Sequence, residues 1–137
     1  CREGTGWLWR LVDRIEHGLG RAEDLDLLNS VAENIQGRTI CALGDAAAMP
    51  VRAFLKHFRD EYEAHIKEKR CPAGVCRNLI TYSVDPEKCT GCTVCAKVCP
   101  TGAASGERKK VHAIDPAKCT KCGACRESCK FDAIIVR

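Results

Sequence analysis

The sequence is poor in aromatic residues and contains no long apolar segment. Phe, Trp and Tyr together make up 5% of its 137 residues, and no basic stripe is interleaved with aromatic side chains, so we expect no nucleic-acid partner. No apolar run reaches the roughly 20 residues of a membrane-spanning helix, and no signal peptide opens the chain. These absences predict a cytoplasmic protein without a membrane span.

Recognisable catalytic motifs are absent as well. No Ser/His/Asp or Cys/His arrangement for nucleophilic catalysis is present, and Gly18 and Gly20 do not complete a G-x-G-x-x-G phosphate loop after a strand. The first residue is Cys1 rather than Met, which indicates a fragment of a longer protein. We therefore expect these residues to contain no acid, base or nucleophile of their own.

Cysteine is the residue type that the sequence has in excess, with 12 of 137 residues. Such a density is typical of a secreted disulfide scaffold or of a metal protein from a reducing compartment. The formal net charge of +4 counts every Cys as neutral, whereas metal-bound Cys is a thiolate. Two [4Fe-4S] clusters would carry roughly −2 each with their thiolates and would cancel this excess.

Residues 1–68 contain two Cys and show the apolar spacing of helices. The first predicted helix ends at Gly18 and Gly20, and its apolar face comprises Leu8, Leu11, Val12, Ile15 and Leu19. The second starts near Asp24 and ends before Gly37, with its inward face formed by Leu27, Leu28, Val31 and Ile35. A third begins between Asp45 and Pro50, with Asp45 as its N-cap. Its apolar stripe comprises Val51, Phe54, Leu55, Phe58, Tyr62 and Ile66.

From Val84 the sequence repeats itself after 30 residues. VDPEKCTGCTVCAKVCP returns as IDPAKCTKCGACRESCK, and each half is typical of a short strand, a Cys-rich loop and a short helix. The segments NLITYSV and KVHAI are predicted strands, with AIIVR as a third. The sequence therefore predicts an α+β fold: a small helical bundle in residues 1–68, a connector in 69–80 and a ferredoxin-like domain in 81–137.

Each repeat contains the cluster-binding spacing C-x-x-C-x-x-C-x-x-x-C. In this motif the fourth Cys serves the other cluster. We therefore expect one [4Fe-4S] cluster, cluster A, on Cys89, Cys92, Cys95 and Cys129. The second, cluster B, is expected on Cys119, Cys122, Cys125 and Cys99. Structural zinc favours two separated C-x-x-C pairs, and disulfides between Cys so close on one loop are strained, so both alternatives are weaker.

Residues 84–137 resemble a bacterial-type ferredoxin with two [4Fe-4S] clusters, with Lys130 where the first motif has Pro100. Residues 1–66 resemble another family through CREGTGWLW, TICALGDAAAMPV and FLKHFRDE. These segments are similar to the C-terminal helical domain of the NADH-binding flavoprotein subunit of respiratory complex I. This resemblance implies that Cys1 and Cys41 are two ligands of a third [4Fe-4S] cluster, completed by upstream residues. From the residues alone, both could be inert buried thiols.

The combination of the two resemblances implies a larger NAD(P)H-linked oxidoreductase. It resembles the beta subunit of NAD(P)-linked, often electron-bifurcating, [FeFe] hydrogenases, and related formate dehydrogenase subunits are similar. The resemblance implies FMN and NAD(P) bound upstream. It also implies other subunits of a hydrogenase or dehydrogenase complex as partners, with soluble ferredoxin as a further one. The alternative is an assembly adaptor with non-redox metal sites.

Two cysteines remain in the connector, in the segment KRCPAGVC. Pro72 and Gly74 turn the chain between Cys71 and Cys76, and His65 precedes them, so these three predict a structural zinc site. The alternative is a pair of reduced, unligated thiols, and the fourth ligand is open, with His57 as one candidate. Among the remaining residues, Trp7 and Trp9 are expected to be packing anchors, and His17 and His112 are expected to face solvent.

Overall fold

The computed structural model describes residues 2–137 and divides into two compact units, Cys1–Leu79 and Ile80–Arg137. The first unit is helical, and its elements are α1 (Arg2–Glu16), α2 (Glu23–Ile35), α3 (Ala42–His57), α4 (Arg59–Glu63), a π-helical turn (Ala64–Glu68) and a 3₁₀ turn (Arg77–Leu79). No helix within residues 2–137 is long and apolar enough to cross a bilayer.

An aliphatic core holds α1, α2 and α3 together. It is formed by Leu8, Leu11, Ile15, Leu25, Leu28, Ala32, Ile35, Ala48, Leu55 and Ile66. Leu28 is fully buried, which makes its side chain worth about 2 kcal/mol of transfer free energy. At Gly4 a Cβ atom would lie 2.7 Å from Ile35 Cγ1, so the absence of a side chain permits the close approach of α1 and α2.

Two leucines of the predicted apolar faces lie outside this core. Leu19 is exposed because α1 ends at Glu16 and Gly18 takes a left-handed conformation, so residue 19 no longer follows the helical period. Leu27 is exposed because the buried face of α2 begins at Leu25, and a residue two positions later lies on the opposite side of a helix. The predicted inward positions of both residues were wrong.

The N-terminus of α3 also differs from the expectation. The helix begins at Ala42, with Cys41 at its N-cap, so Asp45 lies inside the first turn rather than capping it. The Asp45 carboxylate instead accepts hydrogen bonds from the Gly37 N–H at 2.7 Å and the Thr39 hydroxyl at 3.1 Å. Asp45 therefore fastens the loop that precedes Cys41 to the helix that follows it.

The two tryptophans of α1 are not packing anchors among the described residues. Trp7 is 55% exposed and Trp9 is 66% exposed. Both belong to a helix whose inward positions are occupied by leucine and isoleucine. The expectation was wrong because the size of an indole favours burial in general, whereas its place on the helix decides which way it faces.

The second unit contains short elements around its two Cys-rich loops. Two antiparallel pairs are present, β1 (Tyr82–Val84) with β4 (Ile134–Val136), and β2 (Ala104–Ser105) with β3 (Ala113–Ile114). The short helices α5 (Val94–Val98) and α6 (Ala124–Glu127) follow the loops. The predicted α+β class and the pairing of AIIVR are confirmed. The strand Ala104–Ser105 was not predicted because two residues carry no alternation.

Candidate metal centres

The first cavity of the second unit is lined by four cysteines. Three come from the first loop and the fourth from the end of the second: Cys89, Cys92, Cys95 and Cys129. Apart from Thr90 and His112, the rest of the wall is apolar, with Val84, Val94, Phe131, Ala133 and Ile134. The structure therefore brings together the residues that the sequence assigned to cluster A.

The second cavity repeats this arrangement with the loops exchanged. Its cysteines are Cys119, Cys122 and Cys125 from the second loop and Cys99 from the end of the first. Four thiol side chains that line one cavity in each half match the ligand set of a [4Fe-4S] cluster.

Both loops follow the same backbone course, although their residues differ. Each has left-handed residues two positions apart, Gly91 and Thr93 in the first loop and Lys121 and Gly123 in the second. A residue with a Cβ atom costs about 1 kcal/mol in this conformation. The residue with a Cβ atom in this conformation is Thr93 in the first loop and Lys121 in the second. Because these are different positions of the repeat, residue preference does not explain the common backbone conformation. We attribute it to the need to turn three sulfurs toward one centre.

Backbone N–H groups donate to the cysteine sulfurs of both cavities. The Ala133 N–H lies 3.4 Å from Cys129 Sγ, and the Lys121 N–H lies 3.4 Å from Cys119 Sγ. The Ala104 N–H is the main cause that lowers the pKa of Cys99 to about 7. Such donors stabilise a thiolate, which is the form that binds iron.

Burial has the opposite effect on the pKa of the third cysteine of each loop. It raises the pKa of Cys95 and of Cys125, because a buried thiolate loses its hydration. These thiols therefore gain from a cation that compensates their charge. The described cysteines form no disulfide in either unit, so every one of them is free to bind a metal.

Two residues at matching positions of the repeat complete the cavity walls. Tyr82 lines the second cavity, and His112, which lies 30 positions later, lines the first. His112 is only 3% exposed, so the expectation that it faces solvent was wrong. Sequence reasoning treated it as a residue of an exposed strand, but the ring is covered by the turn at Gly106, which a linear pattern does not show.

In the first unit, Cys41 lies at the exposed N-cap of α3. The Thr39 hydroxyl shares its one proton between the Cys41 carbonyl at 2.8 Å and the Asp45 carboxylate at 3.1 Å, so the loop before Cys41 is tied to α3. A side chain at a helix N-terminus faces unpaired N–H groups that favour an anionic ligand. Cys1, the other expected ligand of the third cluster, lies outside the described residues.

A second group of ligand atoms lies at the end of the helical unit. His65, Cys71 and Cys76 place one ligand atom each within 4.8 Å of one another. His65 Nε2 lies 3.4 Å from Cys76 Sγ, and tetrahedral zinc would place such atoms about 3.5 Å apart. His65 Nδ1 lies 2.7 Å from the Glu61 carbonyl oxygen, so it donates there and leaves Nε2 as the coordinating atom.

Local backbone geometry places these three residues together. His65 belongs to the π-helical turn, which ends at the left-handed Lys69. The Gly74 N–H donates to the Cys71 carbonyl at 3.0 Å and closes a turn toward Cys76. His57, the other candidate ligand, lines a different groove with Asp26 and Asn29.

The two thiols of this group differ in their ionisation. Burial raises the pKa of Cys71, but N–H donors from Cys76 and Val75, with smaller contributions from the side chains of Cys76 and His65, lower it to about 6. Burial and the neighbouring Cys71 raise the pKa of Cys76 to about 12. The pair therefore favours one thiolate and one thiol until a cation binds.

Comparison with known families agrees with this division of the chain. Residues 1–65 match the family described as the NADH-ubiquinone oxidoreductase-F iron-sulfur binding region. Residues 81–130 match the family described as the 4Fe-4S dicluster domain.

Relatives match either the whole chain or its first half. The NADP-reducing hydrogenase subunit HndC of Solidesulfovibrio fructosivorans is 51% identical over 135 residues, which cover 98% of this chain and 28% of that protein. An NADH-quinone oxidoreductase subunit of Streptomyces coelicolor is 56% identical over 72 residues, which cover 53% of this chain and 16% of that protein.

The corresponding NADH-quinone oxidoreductase subunit of Rhodobacter capsulatus is 47% identical over 70 residues, which cover 51% of this chain and 16% of that protein. The chain thus spans less than a third of the length of the relatives it matches. The resemblance seen in the sequence is confirmed: residues 1–65 belong to the iron–sulfur binding region of the NADH-ubiquinone oxidoreductase-F family, and a ferredoxin-type 4Fe-4S domain follows in residues 81–130.

Proposed function

We propose that this chain carries single electrons between redox centres of an NAD(P)H-linked oxidoreductase, through two [4Fe-4S] clusters bound by residues 80–137. The observation that supports this proposal is the pair of cavities, each lined by four cysteines with the fourth taken from the other loop. When bound, such clusters supply reversible one-electron chemistry. The chain itself holds the sulfurs in place, donates N–H groups to them and surrounds them with apolar side chains.

The residues that line the two cavities support the proposed ligand sets. Cluster A is assigned to Cys89, Cys92, Cys95 and Cys129, and cluster B to Cys119, Cys122, Cys125 and Cys99. Cys1 and Cys41 are assigned to a third [4Fe-4S] cluster, which needs two ligands from beyond this chain. The match of residues 1–65 to the NADH-ubiquinone oxidoreductase-F iron–sulfur binding region supports FMN and NAD(P) as cofactors of the parent protein.

The parent protein is proposed to be the beta subunit of a hydrogenase, in contact with other subunits of that complex and with soluble ferredoxin. The relative that matches 98% of this chain is named as a subunit of an NADP-reducing hydrogenase. The equivalent subunit of an NAD-linked formate dehydrogenase is the alternative. A second alternative, which belongs to a different functional class, is an assembly adaptor with non-redox metal sites.

Metal analysis and reduction of the reconstituted chain test this proposal. We expect about eight iron and eight acid-labile sulfide from residues 80–137, and reversible reduction by dithionite without loss of iron. An adaptor would lose its metal or remain unreduced. Zinc in place of iron, with negligible sulfide, would contradict the proposal.

We further propose a structural zinc ion on His65, Cys71 and Cys76. The proposal is supported by the spacing of the three ligand atoms and by the hydrogen bond that orients His65. Zinc has no redox chemistry of its own, so it can fix the segment before Ile80 without accepting electrons. The fourth ligand stays open, and Glu16 and Glu61 line the same groove as His65 and Cys76.

X-ray data collected above and below the zinc edge test this site. We expect an anomalous peak about 2.3 Å from each of the two sulfurs, and its loss in Cys76→Ser. Cys41→Ser is the matched control, because that cysteine lies outside the group and its loss leaves the peak unchanged. Zinc-replete protein without a peak, whose Cys71 and Cys76 alkylate freely, would leave the pair as unligated thiols.

A further inference from the structure

The excess positive charge of this chain lies in its second unit. Residues 1–79 contain twelve Lys and Arg and twelve Asp and Glu, whereas residues 80–137 contain ten and six. The formal charge of +4 therefore belongs to the ferredoxin unit alone. Two clusters would offset it with roughly −2 each, but they would lie behind the cavity walls, whereas nine of the ten cations are exposed. The field that an approaching protein meets thus depends on where these cations lie.

A turn with three neighbouring cations, residues 107–110, lies on the first cysteine loop. The Lys109 N–H donates to the Gly91 carbonyl at 3.0 Å. A Cβ atom at Gly91 would lie 2.5 Å from the Lys110 nitrogen, so backbone packs directly on backbone at this point. The next residue of the loop is the exposed Cys92. The turn is therefore fixed beside a cysteine of the proposed cluster A.

Two cations of this turn are available to a partner. Arg108 and Lys109 are exposed, and neither forms an ion pair with any residue from 2 to 137. Lys110 is paired with Glu107 at 2.6 Å. Val111, which follows the turn, is 49% exposed. The segment thus presents two unpaired cations followed by an exposed apolar side chain.

The end of the second cysteine loop adds an aromatic ring and another cation beside the same cavity. Phe131 lines the first cavity and is 46% exposed. Lys130 lies between Phe131 and Cys129, which lines the cavity as well, and it forms no ion pair within the described part of the chain. Asp132 is the acidic neighbour. Aromatic residues and arginine are enriched where proteins meet. We call this set the basic face: Arg108, Lys109, Val111, Lys130 and Phe131.

The second cavity has a different rim. The positions that match Lys130 and Phe131 in the repeat are Pro100 and Thr101, and Thr101 lines that cavity. Cys122 is exposed there, as is the cysteine at the matching position of the first loop. Exposure of a cysteine therefore does not distinguish the two cavities, whereas the aromatic ring and the cation beside it do.

We propose that the basic face is the docking site of an acidic electron-carrier protein, and that electrons pass between this carrier and cluster A. The inference rests on the proposed two-cluster function. In the transfer, one electron leaves the reduced cluster and reduces the oxidised centre of the carrier, while no bond forms and no proton moves. The reverse transfer uses the same contact. Carboxylates of the carrier meet the three cations, and its apolar surface covers Phe131.

Electron transfer measured by stopped flow tests the docking site on the reconstituted full chain. The dithionite-reduced chain, freed of excess dithionite, is mixed with excess oxidised carrier. The probes are an acidic two-[4Fe-4S] ferredoxin and the basic protein cytochrome c. Arg108→Glu combined with Lys109→Glu should slow reduction of the ferredoxin about tenfold or more at low salt, and should not slow reduction of cytochrome c. Because salt screens exposed charges, the unaltered chain and the variant should converge at about 1 M KCl.

A matched control separates the basic face from the charge of the whole unit. Lys118 precedes the second cysteine loop and is exposed, with an ion pair to Asp115 at 3.9 Å. Lys118→Glu changes the net charge by the same amount as Lys109→Glu. We expect the first to stay within about twofold of the unaltered chain and the second to lose more. Equal slowing in both variants, or a ferredoxin rate that does not depend on salt, would overturn the inference.

Cross-linking locates the contact independently of rate. A carbodiimide joins carboxylates of the ferredoxin to lysine side chains, and mass spectrometry identifies the linked positions. Links should form at Lys109 and Lys130 in preference to Lys118. Links centred on Lys118 would contradict the proposed face. So would a dimer of the chain that Phe131→Ala dissociates, with no ferredoxin bound, because the face would then be an interface between two copies.

Iron content and cytochrome c reduction separate this inference from the proposed function. A chain with about eight iron that dithionite reduces and that reduces cytochrome c retains the two-cluster proposal. If substitutions on its basic face then leave the ferredoxin rate unchanged, the docking site alone is rejected. A chain that binds no iron, or that dithionite does not reduce, would reject the proposed function and this inference together.

Discussion

Each of the two units of this chain is stabilised by a different kind of interaction. The helical unit has a core of leucine and isoleucine from α1, α2 and α3. In the ferredoxin unit the buried apolar residues are mostly small, namely Ile80, Ala103, Ala104, Cys125, Ala133 and Ile134. The interior of the second unit is instead occupied by the two cysteine-lined cavities. Apolar burial thus accounts for the stability of the first unit, whereas we expect the second unit to depend on metal–thiolate bonding.

Removal of iron should give the largest effect and separate the units most clearly. Chelation under reducing conditions should abolish protection from hydrogen exchange in residues 80–137 and leave α1, α2 and α3 protected. The reason is that a small unit without a large apolar core folds through its metal. Hydrogen exchange read by mass spectrometry checks this. Equal protection of the second unit with and without iron would contradict the comparison.

Substitution of a fourth cysteine, which is proposed to bind the cluster of the opposite loop, should give the next largest effect. Cys99→Ala should remove the cluster held by Cys119, Cys122 and Cys125, and Cys129→Ala should remove the other. Each variant should lose about four iron and one reduced-cluster signal in electron paramagnetic resonance. The opposite assignment, in which Cys99→Ala damages the cluster of its own loop, would show that the two cavities do not act as ligand sets.

A change in the helical core should act on the first unit alone. Leu28→Ala should lower the free energy of unfolding of the bundle by about 3 kcal/mol, because it removes a fully buried side chain. Leu27→Ala is the control, since that neighbour is 48% exposed and should change the stability by about 0.5 kcal/mol. Denaturant unfolding measured by circular dichroism at 222 nm would check both. An equal loss in the two variants would contradict the assignment of the core.

The smallest effect is expected at the left-handed turn of the second loop. Lys121→Gly should stabilise the iron-loaded unit by about 0.5–1 kcal/mol, because glycine adopts this conformation without the penalty of a Cβ atom. Gly91→Ala is the opposing change at the matching position, where a Cβ atom would lie 2.5 Å from the Lys110 nitrogen. The rate of iron release in urea would measure both. Faster release from Lys121→Gly would contradict the account of the loops.

The sequence was most informative where a motif or a helix end has a recognisable pattern. The spacing of the eight cysteines in the repeat predicts that each fourth Cys joins the opposite triplet, and each cavity is lined by the same four residues. The ends of α2 near Asp24 and Gly37 were also predictable, because a first turn and a terminal glycine have local signatures. The signatures of the α2 ends lie within a few positions along the chain, whereas the grouping of the cysteines follows from a motif that recurs after 30 residues.

The features that were missed depend on how turns and helix faces pack in three dimensions. The burial of His112 is produced by Gly106 and by the cavity wall, and neither follows from a residue pattern around position 112. The role of Asp45 depends on a loop that returns from Gly37 and Thr39. The exposure of Trp7 and Trp9 depends on which face of α1 meets its neighbours. The residue pattern of a single sequence does not reveal these tertiary contacts.

The shared fourth cysteine also bears on the order in which the protein is made. A nascent chain leaves the ribosome from its N-terminus. The second cavity has all of its cysteines once residue 125 has emerged, because Cys99 was synthesised earlier. The first cavity waits for Cys129, although its other three cysteines emerged more than 30 positions before. During synthesis the second cavity therefore has its four cysteines before the first cavity does. A chain cut between the two loops contains a full set of four cysteines for neither cavity.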